Sequence, residues 1–220
     1  MSVDVILASV AQATRIVFVC NPGNPTGTRI ANTELTRLRI SLPSNVLIVI
    51  DQAYVEFDDQ GHQGIFALLD HGNTVITRTF SKAYALAGQR VGWGAFPTEI
   101  AAEVRKLLSP NNVSLVAQAM ATAAMKDQAY MHHIVSQTAT SRDWFIEKLT
   151  AAGYAIPQSH TNFVLVPFAS GAEAKRVDRQ LRSAGYLVRG MGGYGLDHCL
   201  RVTLDGMETM RHVAGVIVGS

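Results

Sequence analysis

The 220-residue sequence has little cysteine, little charge and no long apolar run, and each shortage excludes a class of protein. Its two cysteines, Cys20 and Cys199, lie far apart and outside any CxxC pattern, so no disulfide framework is implied. Charged residues make up 16% of the chain and the formal net charge is only +2. Nucleic acid and acidic membranes are therefore poorly supported as partners, and we expect a small-molecule partner.

Other absences narrow the location and the chemistry. No run of about 18 apolar residues could span a membrane, and the first 13 residues lack the basic start of a secretory signal, so we expect a cytoplasmic protein. The only close histidine pair, His132 and His133, points to different faces of a helix, so we expect no metal. The motifs GxGxxG and GxxxxGK[ST] are missing, which disfavours a nucleotide-binding module.

The N-terminal part of the chain predicts an α/β fold. Short runs of β-branched residues at 15–20, 45–50, 73–77 and 90–95 are separated by polar or glycine-rich breaks. Because these runs are continuously apolar, they predict strands of a mainly parallel sheet that helices cover on both faces. Residues 31–42 are the best intervening helix, with Thr28 as its candidate cap.

The C-terminal part has a different pattern. Residues 114–152 read as long and helical, and they are followed by predicted strands at 162–167, 187–189 and 200–204 with a helix at 172–184. Such a change of pattern predicts a separate α+β lobe. We therefore predict a partial large domain at residues 1–112 and a connecting helix with a small domain at residues 113–220.

Polar clusters follow three predicted strands, at the edge where open α/β sheets bind ligands. The turn Asn21–Gly27 offers asparagine amides, and Asp51 offers a carboxylate that can pair with a protonated ring nitrogen, next to the hydroxyl of Tyr54. The third cluster contains Lys82, with hydroxyl residues before it and Arg90 eight positions after it. Lysine is the residue that bonds covalently to aldehyde cofactors, since burial and cationic neighbours can lower the pKa of a lysine amine.

Each cluster has an ordinary alternative when it is taken alone. An Asn-Pro turn, an N-capping aspartate beside a core tyrosine and a solvated surface lysine are all common. An amide, a carboxylate and an amine at three successive strand ends form a much rarer combination. The combination therefore favours a cofactor site.

Four motifs carry a resemblance to a known family. They are Asn24-Pro25-Thr26-Gly27, Asp51-x-Ala53-Tyr54, Ser81-Lys82-x-x-x-Leu86-Ala87-Gly88-x-Arg90-x-Gly92 and Arg201-Val202-Thr203. In this order and approximate spacing they resemble the signatures of fold-type I pyridoxal-phosphate aminotransferases, with the closest likeness to histidinol-phosphate aminotransferases. The resemblance covers practically the whole chain and implies a three-layer large domain, partial here, followed by a smaller α+β domain.

The resemblance implies a role for each motif residue around pyridoxal 5′-phosphate. Lys82 would hold the cofactor as a Schiff base and then move a proton between the substrate and the cofactor. Asp51 would keep the pyridine nitrogen protonated, so that the ring accepts electrons. Asn24 and Tyr54 would hydrogen-bond the cofactor's O3′.

Further residues would hold the acidic groups of cofactor and substrate. By the same resemblance, Thr79, Ser81 and Arg90 would bind the cofactor phosphate. Arg201 would bind the substrate carboxylate, because a guanidinium matches a carboxylate at two points, and Asn162 would approach the same carboxylate. Without the resemblance, Arg201 reads as a strand-edge arginine in a surface ion pair.

Two departures from the family pattern lead to expectations of their own. The family carries several βα units before its Asn-Pro-Thr-Gly turn, whereas here Asn24 comes almost at the start, so we expect an apolar sheet edge to be exposed. The residues that relatives donate across their dimer are also expected to be missing. After Arg201-Val202-Thr203-Leu204, Asp205 stands where the family usually has glycine.

The resemblance implies transfer of an amino group from an L-amino acid or amino-phosphate, histidinol phosphate above all, to 2-oxoglutarate in a homodimer. A chain that binds the cofactor without turnover is the first alternative, because part of the family pattern is absent. An aromatic amino acid aminotransferase is the second.

Overall fold

The structure is a computed structural model that describes residues 2–60 and 64–219. It divides into two compact units, here called the first and the second unit, which are described separately. The first contains the described residues of Met1–Pro22 and Arg29–His132, and the second contains those of Gly23–Thr28 and His133–Ser220. The division into domains 1–112 and 113–220 stays a prediction, since a compact unit is defined by its contacts and a domain by independent folding.

The first unit is built on a four-stranded sheet. Its strands lie in the order β1 (Ile16–Cys20), β2 (Leu47–Asp51), β3 (Thr74–Thr79) and β4 (Gly92–Ala95). The first three strands are parallel and β4 runs antiparallel to β3. In this register Cys20 lies beside Asp51, and Asp51 lies beside Thr77, so the ends of the three parallel strands meet at one edge.

Helices cover one face of this sheet. Buried side chains of β1, β2 and β3 pack with α2 (Asn32–Ser41) and the short 3₁₀ helix Ile65–His71, and the core residues here are Val19, Leu35, Leu38, Ile48, Ile50, Ile65, Leu68 and Ile76. α1 (Val3–Ala8) packs against α2 through Val3 and Ile6. Burying these aliphatic side chains contributes on the order of 2 kcal/mol each.

The edge strand β1 leaves apolar side chains uncovered. Ile16 is 48% exposed and Phe18 is 73% exposed, whereas Val19, the next residue, is fully buried. The prediction that these strands are buried on both faces is therefore wrong for β1 in the described part of the chain. The expected exposure of an apolar sheet edge is confirmed.

The second unit is an antiparallel sheet covered by helices. The strands lie in the order β5 (Phe163–Pro167), β7 (Leu196–Thr203) and β6 (Arg189–Met191), and all pairs are antiparallel. α6 (Gly171–Ser183) and α7 (Met207–Val218) pack against them with the end of α5 (Gln128–Ala151). The core here includes Phe145, Leu149, Val164, Val166, Val177, Leu181, Leu200, Val202, Met210 and Ile217.

Several helices differ from the prediction in their bounds. The expected helix over 114–152 is two helices, α4 (Leu115–Lys126) and α5 (Gln128–Ala151), which Asp127 separates. α3 (Thr98–Leu107) was not predicted. The cap prediction is wrong, since α2 begins after Ala31 and Thr28 instead pairs its hydroxyl with that of Thr26 at 2.8 Å. None of the described helices is long and apolar enough to cross a membrane.

A buried arginine fixes the loops around α2. Arg39 is 4% exposed and donates through Nη1 to the carbonyl oxygens of Val46 and Asn73, at 2.7 and 3.1 Å. Through Nη2 it donates to those of Leu42 and Pro43, at 3.1 and 3.2 Å. Desolvation by burial lowers the pKa of this guanidinium, and four carbonyl contacts offset its cost.

Candidate active site

The loop after β3 carries Lys82 in a strained backbone. Ala85 and Arg90, both in this loop, adopt positive φ angles of 57° and 52°. Non-glycine residues with such angles cost on the order of 1 kcal/mol or more, and they cluster at functional sites. The strain therefore marks the loop that the sequence motif also marks.

The Lys82 amine lies over the ring of Tyr54. Its Nζ is 5.3 Å from the ring centroid, a cation–π contact. Among the described residues Lys82 makes no hydrogen bond or ion pair, so no carboxylate neutralises the amine. An amine that no acidic partner holds is suited to react with a carbonyl group.

Asp51 ends β2 beside β3. Its Oδ1 accepts a hydrogen bond from the backbone N–H of Ala53 at 2.9 Å, which fixes the carboxylate while Oδ2 remains available to a ligand. Asp51 thus lies three residues before Tyr54, whose ring contacts the Lys82 amine.

Hydroxyl groups and a guanidinium stand at the end of β3. Thr79 donates from Oγ1 to the Oγ of Ser81 at 2.8 Å, and the Ser81 backbone N–H donates to Oγ1 of Thr79 at 3.0 Å. The Ser81 hydroxyl therefore keeps its own proton for a ligand. Arg90 uses Nη1 on the Ala87 carbonyl at 2.8 Å, and its remaining N–H groups are suited to a phosphate.

The Asn-Pro-Thr-Gly turn belongs to the second unit. The Gly27 carbonyl accepts from the His160 backbone N–H at 2.8 Å. Gly27 has φ +75°, and a Cβ there would lie 2.6 Å from the Ser159 Oγ. Only glycine fits this position, and the close packing holds the turn that carries Asn24.

Arg201 of β7 is bound to that turn. Its Nη1 donates to Oδ1 of Asn24 at 2.7 Å, and its guanidinium carbon lies 4.8 Å from the ring centroid of Phe163. Its Nε is buried and has no hydrogen-bond partner among the residues that the structure describes. Such an orphaned donor is costly, and a carboxylate ligand would satisfy it. The alternative of a surface ion pair is not what the structure shows, since Arg201 has no carboxylate partner among the described residues.

The other residues of the predicted site divide into two kinds. The backbone carbonyl oxygen of Asn162 accepts from the Leu204 backbone N–H at 2.9 Å, and the Asn162 side chain bonds to no described atom. Asn21, in contrast, exchanges two hydrogen bonds with the backbone of Ile30, at 2.7 and 2.9 Å. Its amide therefore closes the turn and is not available to a ligand.

The sequence places Arg189 only in a glycine-rich loop, 189–195, that we expect at the rim of the substrate site, and it gives this arginine no role of its own. Arg189 of β6 lies directly opposite Arg201 of β7, so both side chains emerge on one face of the sheet. Two like charges in register are unfavourable unless an anion lies between them. No local motif signals this pair, because it depends on strand register.

Comparisons with known proteins identify the family of the chain. Residues 3–217 match the family model for aminotransferase class I and II. The chain is 40% identical over 215 residues to a histidinol-phosphate aminotransferase of Cereibacter sphaeroides, and the match covers 98% of this chain and 60% of the relative. It is 42% identical over 220 residues to that of Paramagnetospirillum magneticum, with 98% and 61% covered.

A solved structure shows the same fold. The crystal structure of histidinol-phosphate aminotransferase from Sinorhizobium meliloti in complex with pyridoxal-5′-phosphate superposes with a TM-score of 0.90 at 29% identity, and the match covers 99% of this chain and 61% of that one. The mixed α/β architecture with a mainly parallel sheet is that of pyridoxal-phosphate transferases, which confirms the predicted fold class.

The chain belongs to the class I and II aminotransferase family, since the family model matches nearly all of it. Within that family the similar proteins reported above are histidinol-phosphate aminotransferases, and the chain spans about 60% of the length of these curated relatives. The family resemblance read from the four motifs is thereby confirmed.

Proposed function

We propose that this chain binds pyridoxal 5′-phosphate and takes part in transferring an amino group from an L-amino acid or amino-phosphate, histidinol phosphate in particular, to 2-oxoglutarate. The observation that carries the proposal is the group of functional side chains at the ends of β2 and β3. There Asp51, the Thr79 and Ser81 hydroxyls and the Lys82 amine follow neighbouring parallel strands.

The side chains present fit this cofactor chemically. Lys82 supplies an amine without an acidic partner for the aldehyde, and Asp51 supplies a carboxylate oxygen for the ring N–H. Ser81 and Arg90 supply donors for the phosphate. When bound, pyridoxal phosphate supplies a ring that accepts the electrons left on the substrate when a proton is removed. Its presence in the Sinorhizobium meliloti relative supports the same assignment here.

The chain's own residues then act on protons and charges. The Nζ of Lys82 would take the proton from the substrate carbon that carries the amino group and pass it to the cofactor within the same half of the cycle, and in the second half it would move a proton in the opposite direction. Asp51 holds a proton on the ring nitrogen through its carboxylate. The Asn24 side chain, whose Oδ1 accepts from Arg201, keeps its Nδ2 group as the predicted donor to the cofactor's O3′.

The two arginines of the second unit suit an acidic substrate. Arg201 offers a buried Nε that lacks a partner, and Arg189 places a second cation beside it. A phosphate or carboxylate between them would relieve the repulsion of like charges. Such a pair favours an amino-phosphate or a dicarboxylate over an aromatic amino acid whose only acid is its α-carboxylate.

The first experiment adds pyridoxal phosphate to the purified chain and follows both visible absorption and amino transfer. We expect a stoichiometric absorption band, and borohydride reduction followed by peptide mass spectrometry should find the cofactor on Lys82. The variant Lys82→Ala should lose the band, while Lys106→Ala, which removes an exposed lysine, should keep it. A cofactor found on another residue, or no band in folded protein, would overturn the assignment.

The same experiment separates the alternatives. A band without amino transfer would identify a chain that binds the cofactor without turnover. Where transfer occurs, Arg201→Ala should raise the KM of every acidic substrate while the band is retained; an unchanged KM for all of them would remove Arg201 from this role. Arg189→Ala should weaken the binding of histidinol phosphate and of 2-oxoglutarate at least tenfold. It should weaken the binding of L-phenylalanine much less. An equal loss for all three would favour the aromatic alternative.

We further propose that the protein acts as a homodimer, as the family resemblance implies. Sedimentation analysis at micromolar concentration tests this, and a monomer at all concentrations would contradict it.

A further inference from the structure

The first unit contains a cavity that none of the predicted cofactor ligands lines. Its volume is about 640 Å³, enough for a molecule the size of an amino acid or a nucleoside. Acidic, basic, aromatic and thioether side chains all contribute to its wall. The lining residues include Glu56, Phe66, Arg78, Trp93, Met125 and Met131.

Arg78 is held in place on one side of the cavity. Its Nε and Nη2 both donate to the Oε1 of Gln52, at 3.1 and 3.0 Å. Its guanidinium carbon lies 5.0 Å from the ring centroid of Phe66 and 5.5 Å from that of Trp93. Among the described residues Nη1 donates to no atom, so a fixed cationic donor remains for an anionic ligand.

Glu56 lines the same cavity and is incompletely satisfied. The residue is 8% exposed, and its buried Oε2 has no hydrogen-bond partner within residues 2–60 and 64–219. No ion pair joins Glu56 to Arg78 in the described part of the chain, although the charge of Arg78 acts on it. The last torsion of a glutamate is soft, so a small rotation turns Oε2 toward a ligand in the cavity.

Glu56 and Arg78 therefore line one cavity, and no ion pair joins them in the described part of the chain. A buried acceptor without a partner costs on the order of 1–3 kcal/mol, and a donor in its place would recover that cost. The ligand that satisfies both groups carries a cation and an anion at once. The remaining wall is apolar, and the methionines are suited to an aromatic ring, since sulfur–aromatic contacts are favourable.

We propose that this cavity binds a free aromatic α-amino acid, with its ammonium group at Glu56, its carboxylate at Arg78 and its ring among Met125, Met131 and Trp93. None of the predicted cofactor ligands lines this site, and its occupancy does not depend on amino transfer. Its occupancy would make the protein responsive to the concentration of an amino acid that it does not need to convert.

The test uses the cofactor-free chain and L-phenylalanine as the probe. Excitation at about 295 nm reports on both tryptophans, Trp93 and Trp144, so the measurement uses a Trp144→Phe background, in which we expect a saturable change in Trp93 emission as the amino acid fills the cavity. Phenethylamine lacks the carboxylate and 3-phenylpropionate lacks the ammonium group. Both should bind at least tenfold more weakly, because each leaves one charged group of the cavity unpaired.

Variants distinguish this cavity from the proposed substrate site. Glu56→Gln and Arg78→Met should each lower the affinity for L-phenylalanine at least tenfold. Arg78→Lys should keep more of this affinity than Arg78→Met. Arg201→Ala should leave the affinity within about twofold, and near-UV circular dichroism should confirm that each variant is folded. Binding that Arg201→Ala abolishes and Glu56→Gln leaves unchanged would place the ligand elsewhere and overturn the proposal, as would the absence of binding.

Proton release provides a second readout. An ammonium group beside Glu56 favours its ionised form, so calorimetry at pH 7 in buffers of different ionisation enthalpy should show protons released on binding. The other titratable groups lining the cavity are Arg78, Tyr84 and His132. The Glu56→Gln variant separates their contribution, since proton release should disappear in it; release that persists undiminished would contradict the assigned role of Glu56.

Discussion

Arg201 donates a hydrogen bond of 2.7 Å to Asn24, across 177 residues of sequence. The bond ties β7 to the Asn-Pro-Thr-Gly turn inside the second unit. It orients the Asn24 amide, since the oxygen must point to the guanidinium, and it leaves the Arg201 Nε for a ligand. One contact thus positions two residues with different predicted partners.

Replacing Asn24 tests this contact. In Asn24→Asp the new carboxylate should pair with Arg201 and compete with the carboxylate of the substrate, so the dissociation constant of 2-oxoglutarate should rise at least tenfold. Asn24→Ala removes the acceptor without adding charge and should have a smaller effect. Calorimetric titration measures both variants. Equal effects of the two would show that Asn24 does not act through Arg201.

Gly27 should tolerate no side chain. In Gly27→Ala the new Cβ would lie 2.6 Å from the Ser159 Oγ and 2.9 Å from its Cβ, in a backbone with φ +75°. The backbone alone costs about 1–2 kcal/mol, and the steric contact adds to it. We expect a loss of more than about 2 kcal/mol in the free energy of unfolding, together with weaker binding of 2-oxoglutarate because the turn carries Asn24.

Gly185→Ala is the matched control for that prediction. Gly185 has φ +86°, and no atom of the described chain lies within 4 Å of the place that a Cβ would take there, so its substitution costs the backbone strain alone. Urea denaturation should show a clearly smaller loss than for Gly27→Ala. If the two losses agree, the contact with Ser159 is not what restricts position 27.

Local patterns predicted the strands of the first unit well because a β-branched run between breaks is a local signal, whereas β7 begins at Leu196, four residues before the predicted run at 200–204. β1, β2 and β3 begin and end within about two residues of the predicted runs. The partners of a site residue cannot be predicted in this way. The contacts of Arg201 with Asn24 and Arg189 depend on long-range register, which no spacing along the chain encodes.

The same limit applies to buried polar residues. In the sequence Arg39 is one of several arginines on a predicted helix, and nothing local distinguishes it from Arg37 two positions earlier. In the structure Arg39 is buried against four carbonyl oxygens, whereas Arg37 pairs with Asp4 and Glu34 at the surface. The loops that bury Arg39 come from different parts of the first unit, so its role emerges only on folding.

This difference predicts opposite outcomes for one substitution. Arg39→Lys replaces a planar fork with a single nitrogen that cannot reach four carbonyl groups, so we expect a loss of about 2–4 kcal/mol in unfolding free energy. Arg37→Lys should change stability by less than about 1 kcal/mol, because exposed ion pairs contribute little. Thermal or urea unfolding compares them directly. A loss at Arg37 as large as that at Arg39 would contradict the role of the carbonyl contacts.

The raised pKa of Glu56 makes the stability of the first unit depend on pH. Burial raises the pKa of its carboxyl from the ordinary value of 4.5 to about 7, and its own backbone N–H and the nearby Arg78 oppose the rise. A raised folded-state pKa stabilises the fold fully below the unfolded value, and this stabilisation is lost as the pH rises through about 7. Between about pH 4.5 and about pH 8 the loss amounts to at most about 3 kcal/mol.

Glu56→Gln removes the titration and keeps the shape of the side chain. We expect the variant to gain stability relative to the original chain as the pH rises from about 4.5 to about 8, since glutamine has no charge to desolvate. Urea midpoints measured across this range give the difference at each pH. Glu147→Gln, at an exposed position of α5, is the control and should show a difference that stays constant. A constant difference for Glu56→Gln as well would mean that its carboxyl is not desolvated in the folded protein.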